Sequence, residues 1–195
     1  MSSPRPLVLL VCALLALGIA ACGQEEQDPG GYQTENAQVA ETEGIYLELS
    51  EVKYQVQISR QLNPLIVEDK DYLAGIAEDE LELADDEVWF GVWMRVENES
   101  EEAIRTASRF TIVDTQENEY VPVRVDRANV FAYQGGERIE GEELYPNLDS
   151  PAGERPPYAA VLLYKLKRFS LDNRPLELTI DDPAGGPPGI VNLDV

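Results

Sequence analysis

Apolar residues at every second position are the feature that most narrows what this chain can fold into. Val52, Tyr54, Val56 and Ile58 alternate with Lys53, Gln55, Gln57 and Ser59. Side chains of an extended strand point alternately to opposite faces, so this spacing predicts a half-buried strand with Ile58 on its inner face. Leu176, Leu178 and Ile180 alternate with Glu177 and Thr179 in the same way. Leu47 and Leu49 hold the opposite parity, and the phase flip at Ser50-Glu51 predicts a bulge or a corner there. Residues 110–114 and 120–125 flank the polar stretch 115–119 and predict a hairpin. Pro122 has no N–H to donate, so the second arm is expected at a sheet edge. Residues 88–96 and 159–166 are apolar on both faces, as central strands are.

The count comes to about seven strands. One short helical candidate, 76–85, stands beside them. The pattern predicts an all-β fold, an immunoglobulin-like β-sandwich over residues 44–182. The Cys…Trp…Cys spacing of antibody domains is absent. Asn98-Glu99-Ser100, Phe110-Thr111-Ile112-Val113-Asp114 and Asn118-Glu119-Tyr120-Val121-Pro122 carry a family resemblance. So do Ala160-Val161-Leu162-Leu163-Tyr164 and Arg174-Pro175-Leu176-Glu177-Leu178. Together they resemble the small bacterial secreted Ig-like lipoproteins, a domain of unknown function similar to a secreted mycobacterial β-sandwich antigen. The resemblance covers roughly residues 44–181. It implies the sandwich fold and an extracellular setting, and no activity. That family often carries Gly where this chain has Glu117, which leaves Asn118 as the residue expected to supply a positive φ in the turn.

Charge and residue usage exclude several functions. The 195 residues include 37 acidic and 15 basic side chains, a formal net charge of −22. Such a charge repels nucleic acid, so no nucleic-acid partner is expected. Histidine is absent, and the two cysteines, Cys12 and Cys22, both lie near the N-terminus. Ser-His and Cys-His nucleophile pairs are therefore excluded, along with imidazole- or thiolate-based metal sites in the body of the chain. No cofactor is expected. With a hydrophobic fraction of 44%, the chain can build a core without a disulfide or metal.

The first residues read as an address. Arg5 precedes an apolar or small run from Leu7 to Ala21, and the run ends Ile19-Ala20-Ala21-Cys22. Fifteen residues at about 1.5 Å each fall short of a hydrocarbon core about 30 Å thick, which suits a signal peptide rather than a membrane span. The ending is similar to a bacterial lipobox, in which cleavage leaves the cysteine as a lipidated N-terminus. This predicts a signal peptide over 1–21, acyl chains (palmitate among them) on Cys22, and an extracytoplasmic protein anchored to the cell membrane. Ordinary cleavage after Gly18-Ile19-Ala20 is the alternative. Residues 22–43, rich in Gln, Glu, Gly, Asn and Thr, are expected as a disordered tether, and the Pro/Gly-rich 183–195 as a tail.

Candidate sites are few. Trp89, Gly91 and Trp93 share one strand face, while Val88, Phe90, Val92, Met94 and Val96 share the better core face. Two indoles with a notch between them could stack on a sugar or a partner's side chain; the plainer expectation is that a loop, 61–83, covers them. Residues 78–87 hold seven acids, and Glu78, Asp79, Glu80, Asp85 and Asp86 are weak candidates for a hard cation such as Ca²⁺. A solvated, self-repelling loop is the plainer reading. Asp114-Thr115-Gln116-Glu117-Asn118 lacks the glycine of an EF-hand loop and reads as a turn. Lys165, Lys167, Arg168 and Arg174 could meet an anionic wall polymer or pair with nearby carboxylates. Arg60 is placed to fix the loop that comes after its strand. Ser170 and Lys167 are a conceivable Ser-Lys pair, of a kind that chance places in most proteins. No set marks a catalytic centre, so the expectation is not an enzyme. It is an anchored module that binds another envelope protein or a wall component; the alternative is a ligand- or Ca²⁺-binding lipoprotein using the Trp face or the acidic loop.

Overall fold

The computed structural model describes residues 31–193. The chain forms β1 (Tyr32–Gln33), β2 (Gln38–Ala40), β3 (Tyr46–Leu49) and β4 (Val52–Leu62), then helices α1 (Val67–Leu73) and α2 (Glu78–Leu81). Next come β5 (Glu87–Asn98), β6 (Ile104–Arg105), β7 (Phe110–Val113), β8 (Glu119–Tyr120), β9 (Arg138–Ile139) and β10 (Leu144–Tyr145). Helix α3 (Pro151–Glu154), β11 (Ala160–Lys167), a 3-10 turn over Arg168–Leu171, β12 (Leu176–Ile180) and β13 (Gly189–Leu193) complete it. Seven of the strands run four residues or more.

The strands form a β-sandwich. One sheet has the order β1-β2-β13-β12-β7-β8. The other has the order β10-β5-β4-β3, with β11 also on β5, and a small β6–β9 ribbon stands apart. The facing sides close on Tyr54, Phe90, Met94, Tyr164, Ile112, Leu176, Leu178 and Val191, all buried. The core face expected of β5 is thus the observed one. Asn98 ends β5 fully buried. Its Nδ2 donates to the Glu102 and Glu140 carbonyls at 2.7 and 3.0 Å, and its Oδ1 accepts from the Ser100 N–H and hydroxyl.

Several expectations are corrected. Within residues 31–43 of the expected tether, Tyr32–Gln33 and Gln38–Ala40 are strands of the sheet. β2 pairs in parallel with β13, and Ala40 is fully buried. Backbone pairing and small buried side chains hold this segment, so its poor hydropathy misleads. The expected tail likewise contains β13, which lies between β2 and β12. Only 183–188 keep the breaker-rich role, as the connection into β13. The helix expected over 76–85 is reduced to α2, and α1 precedes it. At the phase flip there is neither bulge nor corner: Leu49 and Val52 pair directly, and Ser50 and Glu51 have φ of 50° and 67°. Both residues of a two-residue hairpin loop need positive φ in the turn that matches strand twist. The bulge lies instead in β4, between Val56 and Ile58. The extra residue reverses the facing of the rest of the strand, so Ile58 is exposed and Ser59 buried.

Two buried tyrosines make a test of the core. Tyr54 Oη accepts the buried Ala107 N–H at 2.8 Å, whereas Tyr164 Oη is buried without a hydrogen-bond partner. Burial raises both phenols, Tyr54 to about 12. Tyr54→Phe strands a buried donor and is expected to cost about 2 kcal/mol; Tyr164→Phe removes an unmatched hydroxyl and is expected to be neutral or stabilising by about 1 kcal/mol. Urea unfolding of the two variants reads the difference in sign.

Candidate functional site

The Trp-Gly-Trp face does not reach solvent. Trp89 and Trp93 are 2% and 1% exposed, within a second apolar cluster on the outer side of the β4-β5-β11 sheet. Leu62, Tyr72, Leu73, Ile76 and Leu163 share that cluster. The Tyr72 ring meets Trp93 edge-on at 5.1 Å, and Phe131 meets Tyr72 at 5.5 Å. Gly91 leaves room for the indole: a Cβ there would stand 2.8 Å from the Trp93 ring. The ligand face proposed for Trp89, Gly91 and Trp93 is therefore corrected to a covered wall, because segment 61–83 packs over it and 123–131 joins the cover.

Charged groups lock this cover. Arg60 Nη2 and Nη1 donate to the Asp69 carboxylate at 2.6 and 3.2 Å, and the Asn63 N–H donates to it at 2.7 Å. The Arg60 guanidinium stacks 4.8 Å from the Trp93 ring centre. Burial pushes the Asp69 carboxyl up, and Arg60 with the Asn63 N–H pulls it below the ordinary range. Arg155 lies over Tyr72 and Phe131 and pairs with Asp71 at 2.9 Å. Asn129 Nδ2 donates to the carbonyls of Tyr72 and Ala74, which satisfies the last turn of α1.

The acidic run and the basic cluster meet each other. Lys167 Nζ lies 2.9 Å from Asp86 and 3.2 Å from Glu87, and Lys165 Nζ donates to the Glu82 carbonyl at 2.8 Å. Arg174 Nε donates to the Leu171 carbonyl. Glu78, Asp79 and Glu80 form α2, and Asp85 precedes the Asp86 pair. Among the described residues no group of three or more acidic or sulfur side chains is arranged to hold a metal. Cys22 lies outside the described residues.

The 110–120 hairpin is organised by Asp114, which is 4% exposed. Its Oδ1 accepts from the N–H groups of Gln116 and Asn118 at 2.9 and 3.0 Å, and Asn118 Nδ2 donates to both carboxylate oxygens. The positive φ falls on Glu117, at 63°, and not on Asn118. Asn118 serves as a ligand of Asp114 instead. Ser170 is fully buried and shares a 2.7 Å hydrogen bond with Tyr120 Oη. Its hydroxyl also helps to hold the Asp114 carboxyl down. Ser170 and Lys167 are thus committed to different partners.

Burial raises the Asp114 carboxyl, but Ser170, the Asn118 side chain and two N–H groups outweigh it and hold the group down to about 2, from an ordinary 3.8. A carboxyl lowered in the folded state adds stability above its unfolded value and loses it as pH falls through the folded value. The domain is therefore expected to lose roughly 1–2 kcal/mol between about pH 4 and pH 2 through this group. Urea midpoints across that range, compared with Asp114→Asn, check it: the variant's acid limb should be flatter.

Sequence reasoning missed an open concavity beside β7. β8 pairs with β7 only at Ile112 and Val113. At Pro122 the chain leaves that sheet and crosses to the other, where the Val123 N–H donates to the Leu163 carbonyl at 2.8 Å. The crossing opens a cleft of about 730 Å³ between β7 and β11. Phe110, Val121, Pro122, Val123, Tyr133 and Leu163 give it apolar walls. Arg109, Arg124 and Arg127 line it together with Asp126 and Asp181. An adjoining hollow of about 380 Å³ shares Arg109 and adds Arg105. Four of the chain's arginines thus gather on one groove of a strongly acidic protein. Arg109 pairs with Asp181 at 2.7 Å and Arg127 with Glu137 at 2.6 Å, both with exposed guanidinium groups. Arg124 has no ion pair among the described residues. The signal in the sequence was Pro122 with arginines spaced on either side of it.

Comparison with known proteins reaches the fold. No protein-family model matches the chain, and no curated protein matches it. The yjhA protein of Bacillus subtilis superposes on 79% of this chain and 99% of its own, with TM-score 0.52 and 14% identity. An uncharacterized β-sandwich protein of Clostridium difficile 630 covers 84% of this chain and 99% of its own, at TM-score 0.45 and 9% identity. The ycdA protein of Bacillus subtilis 168, provisionally described as a lipoprotein, covers 76% and 38% at TM-score 0.48 and 11% identity. At 14% identity the likeness to the yjhA protein speaks for the shared architecture alone.

Proposed function

We propose that this chain is an extracytoplasmic lipoprotein, held to a membrane by acyl chains on Cys22, whose β-sandwich binds another component of the cell envelope without converting it. The observation that carries the binding reading is the cleft between β7 and β11, an apolar hollow with arginines at its rim in a chain of net charge −22. Concave, mostly apolar sites with a few placed polar groups are the usual form of a recognition site. The lipobox-like Ile19-Ala20-Ala21-Cys22 supports the anchor. So does the resemblance of residues 98–122 to secreted Ig-like lipoproteins. Eight residues, 23–30, separate Cys22 from the described head, and at about 3.5 Å each they reach at most about 28 Å. The head therefore works close to the surface that holds it. The absence of histidine and the burial of Ser170 support a role without catalysis.

Two measurements test the halves separately. Cys22→Ser should move the protein out of the membrane fraction; continued membrane attachment with no loss of mass would remove the lipid anchor. A photo-crosslinking residue at exposed Val121, in the cleft, should capture a reproducible adduct in intact cells. The same residue at Glu48, on the exposed side of β3, should not. Equal labelling from both positions, or none from either, would remove the cleft as the binding site.

A further inference from the structure

We infer that the cleft takes an extended peptide segment carrying acidic residues, which adds to the open edge of β7 as a short strand. The inference rests on the reading of the sandwich as a binding module and specifies what it binds. Phe110 is paired across β12 with Ile180. The neighbouring Asp181 N–H donates to the Arg109 carbonyl, so in this antiparallel ladder Arg109 and Thr111 turn their backbone groups toward β12. Phe110 turns its N–H and carbonyl the other way, to the outer edge. On that edge Ile112 meets Tyr120, but Phe110 would face Pro122, which cannot donate and has already crossed toward β11. Neither backbone group of Phe110 has a hydrogen-bond partner among the described residues, although the residue is only 3% exposed. An unpaired strand edge inside a cleft is the arrangement that binds an added strand.

The side chains around that edge select the occupant. An added strand points alternate side chains to opposite sides. One set meets the apolar floor of Phe110, Val123, Tyr133 and Leu163; the other meets Arg109, Arg124 and Arg127. Arg124 is uncommitted. The Arg109 and Arg127 pairs are exposed, with side chains 80% and 77% accessible, and exposed pairs are held weakly enough to exchange for an incoming carboxylate. Gln134 lines the same cleft, and its Nε2 is buried without a hydrogen-bond partner, a donor suited to a peptide carbonyl or carboxylate. Alternating apolar and acidic residues match both walls. A basic segment would meet the arginines, and a purely apolar one would leave the Phe110 and Gln134 groups and the rim unmatched.

The test is a displayed library of random decapeptides, panned against the soluble protein lacking residues 1–22 and against the same protein with Arg109→Glu and Arg124→Glu. Both arginines are exposed, so an unchanged melting curve confirms that the variant folds. Selected sequences should carry acidic residues in alternation with apolar ones. Their binding should fall roughly tenfold or more in the variant and weaken with added salt. N-methylation of the best peptide should abolish binding at the one amide that faces Phe110 and spare the amides on its other edge. Selection of sequences without acidic residues, or equal binding to the variant, would overturn the acidic partner. Tolerance of N-methylation at every position would overturn strand addition. A lipid or glycan adduct at Val121 with no peptide selected would overturn the peptide and leave the binding module standing, whereas loss of the Val121 adduct itself would remove both.

Discussion

Trp93→Ala is expected to lower the unfolding free energy by about 4 kcal/mol, a large share of the roughly 5–15 kcal/mol that holds a domain of this kind. Trp93 is 1% exposed, and a buried indole removes about 150–250 Å² from water. Its truncation opens a cavity under α1 in which Tyr72 loses its edge contact at 5.1 Å. Arg60 loses its stacking surface at 4.8 Å, and with it part of the geometry that presents its guanidinium to the buried Asp69. An unpaired buried carboxylate adds to the cost. Urea unfolding measures the total, and hydrogen exchange locates it. Faster exchange confined to 63–83 would mean that the cover opens while the sandwich stands. A loss below about 1 kcal/mol with unchanged exchange would mean that Trp93 is not the keystone of this cluster.

The same residue shows why the sandwich was legible and its site was not. Alternation at 52–56 and 176–180 reports one buried face, and a one-residue slip would expose it, so the pattern and the fold constrain each other. Residues 88–96 and 159–166 are apolar on both faces because a second cluster covers the outer side. Double-sided apolarity is therefore a sign of cover, and the two tryptophans belonged to that sign. Ile58 was misplaced because a bulge leaves no local signature in Gln55-Val56-Gln57-Ile58. The cleft was illegible for a different reason. It is made by a chain leaving one sheet for another at Pro122, and its arginines at 109, 124 and 127 come together only when β7 and β11 are placed. The charge partners Asp86–Lys167 and Arg60–Asp69 likewise join residues far apart in sequence or across a loop, which composition cannot pair.

Removal of residues 189–195 is expected to abolish cooperative folding, although composition alone marks this end as a tail. β13 is the strand on which its sheet depends. It pairs with β12 along its whole length, from Leu176 with Leu193 to Ile180 with Gly189, and on its other side it pairs with β2. Val191 and Leu193 are 2% and 3% exposed. Burying two such side chains contributes about 3–6 kcal/mol, before the ladder hydrogen bonds on both edges are counted. Without β13, β2 has only the two-residue β1 as a strand partner, and β12 becomes an exposed apolar edge of the kind that drives aggregation. Gly189 adds a steric reason for its position: a Cβ there would stand 2.9 Å from Leu47 Cδ1, so a larger residue would have to push the Leu47 side chain aside. Leu193→Ala grades the effect in a chain that still folds, with an expected loss of about 2–5 kcal/mol. A truncated protein that melts cooperatively at the full-length midpoint would return this segment to the role of a tail. A featureless melt with a soluble, cooperative Leu193→Ala variant would establish that the sheet closes only when the last strand arrives between β2 and β12.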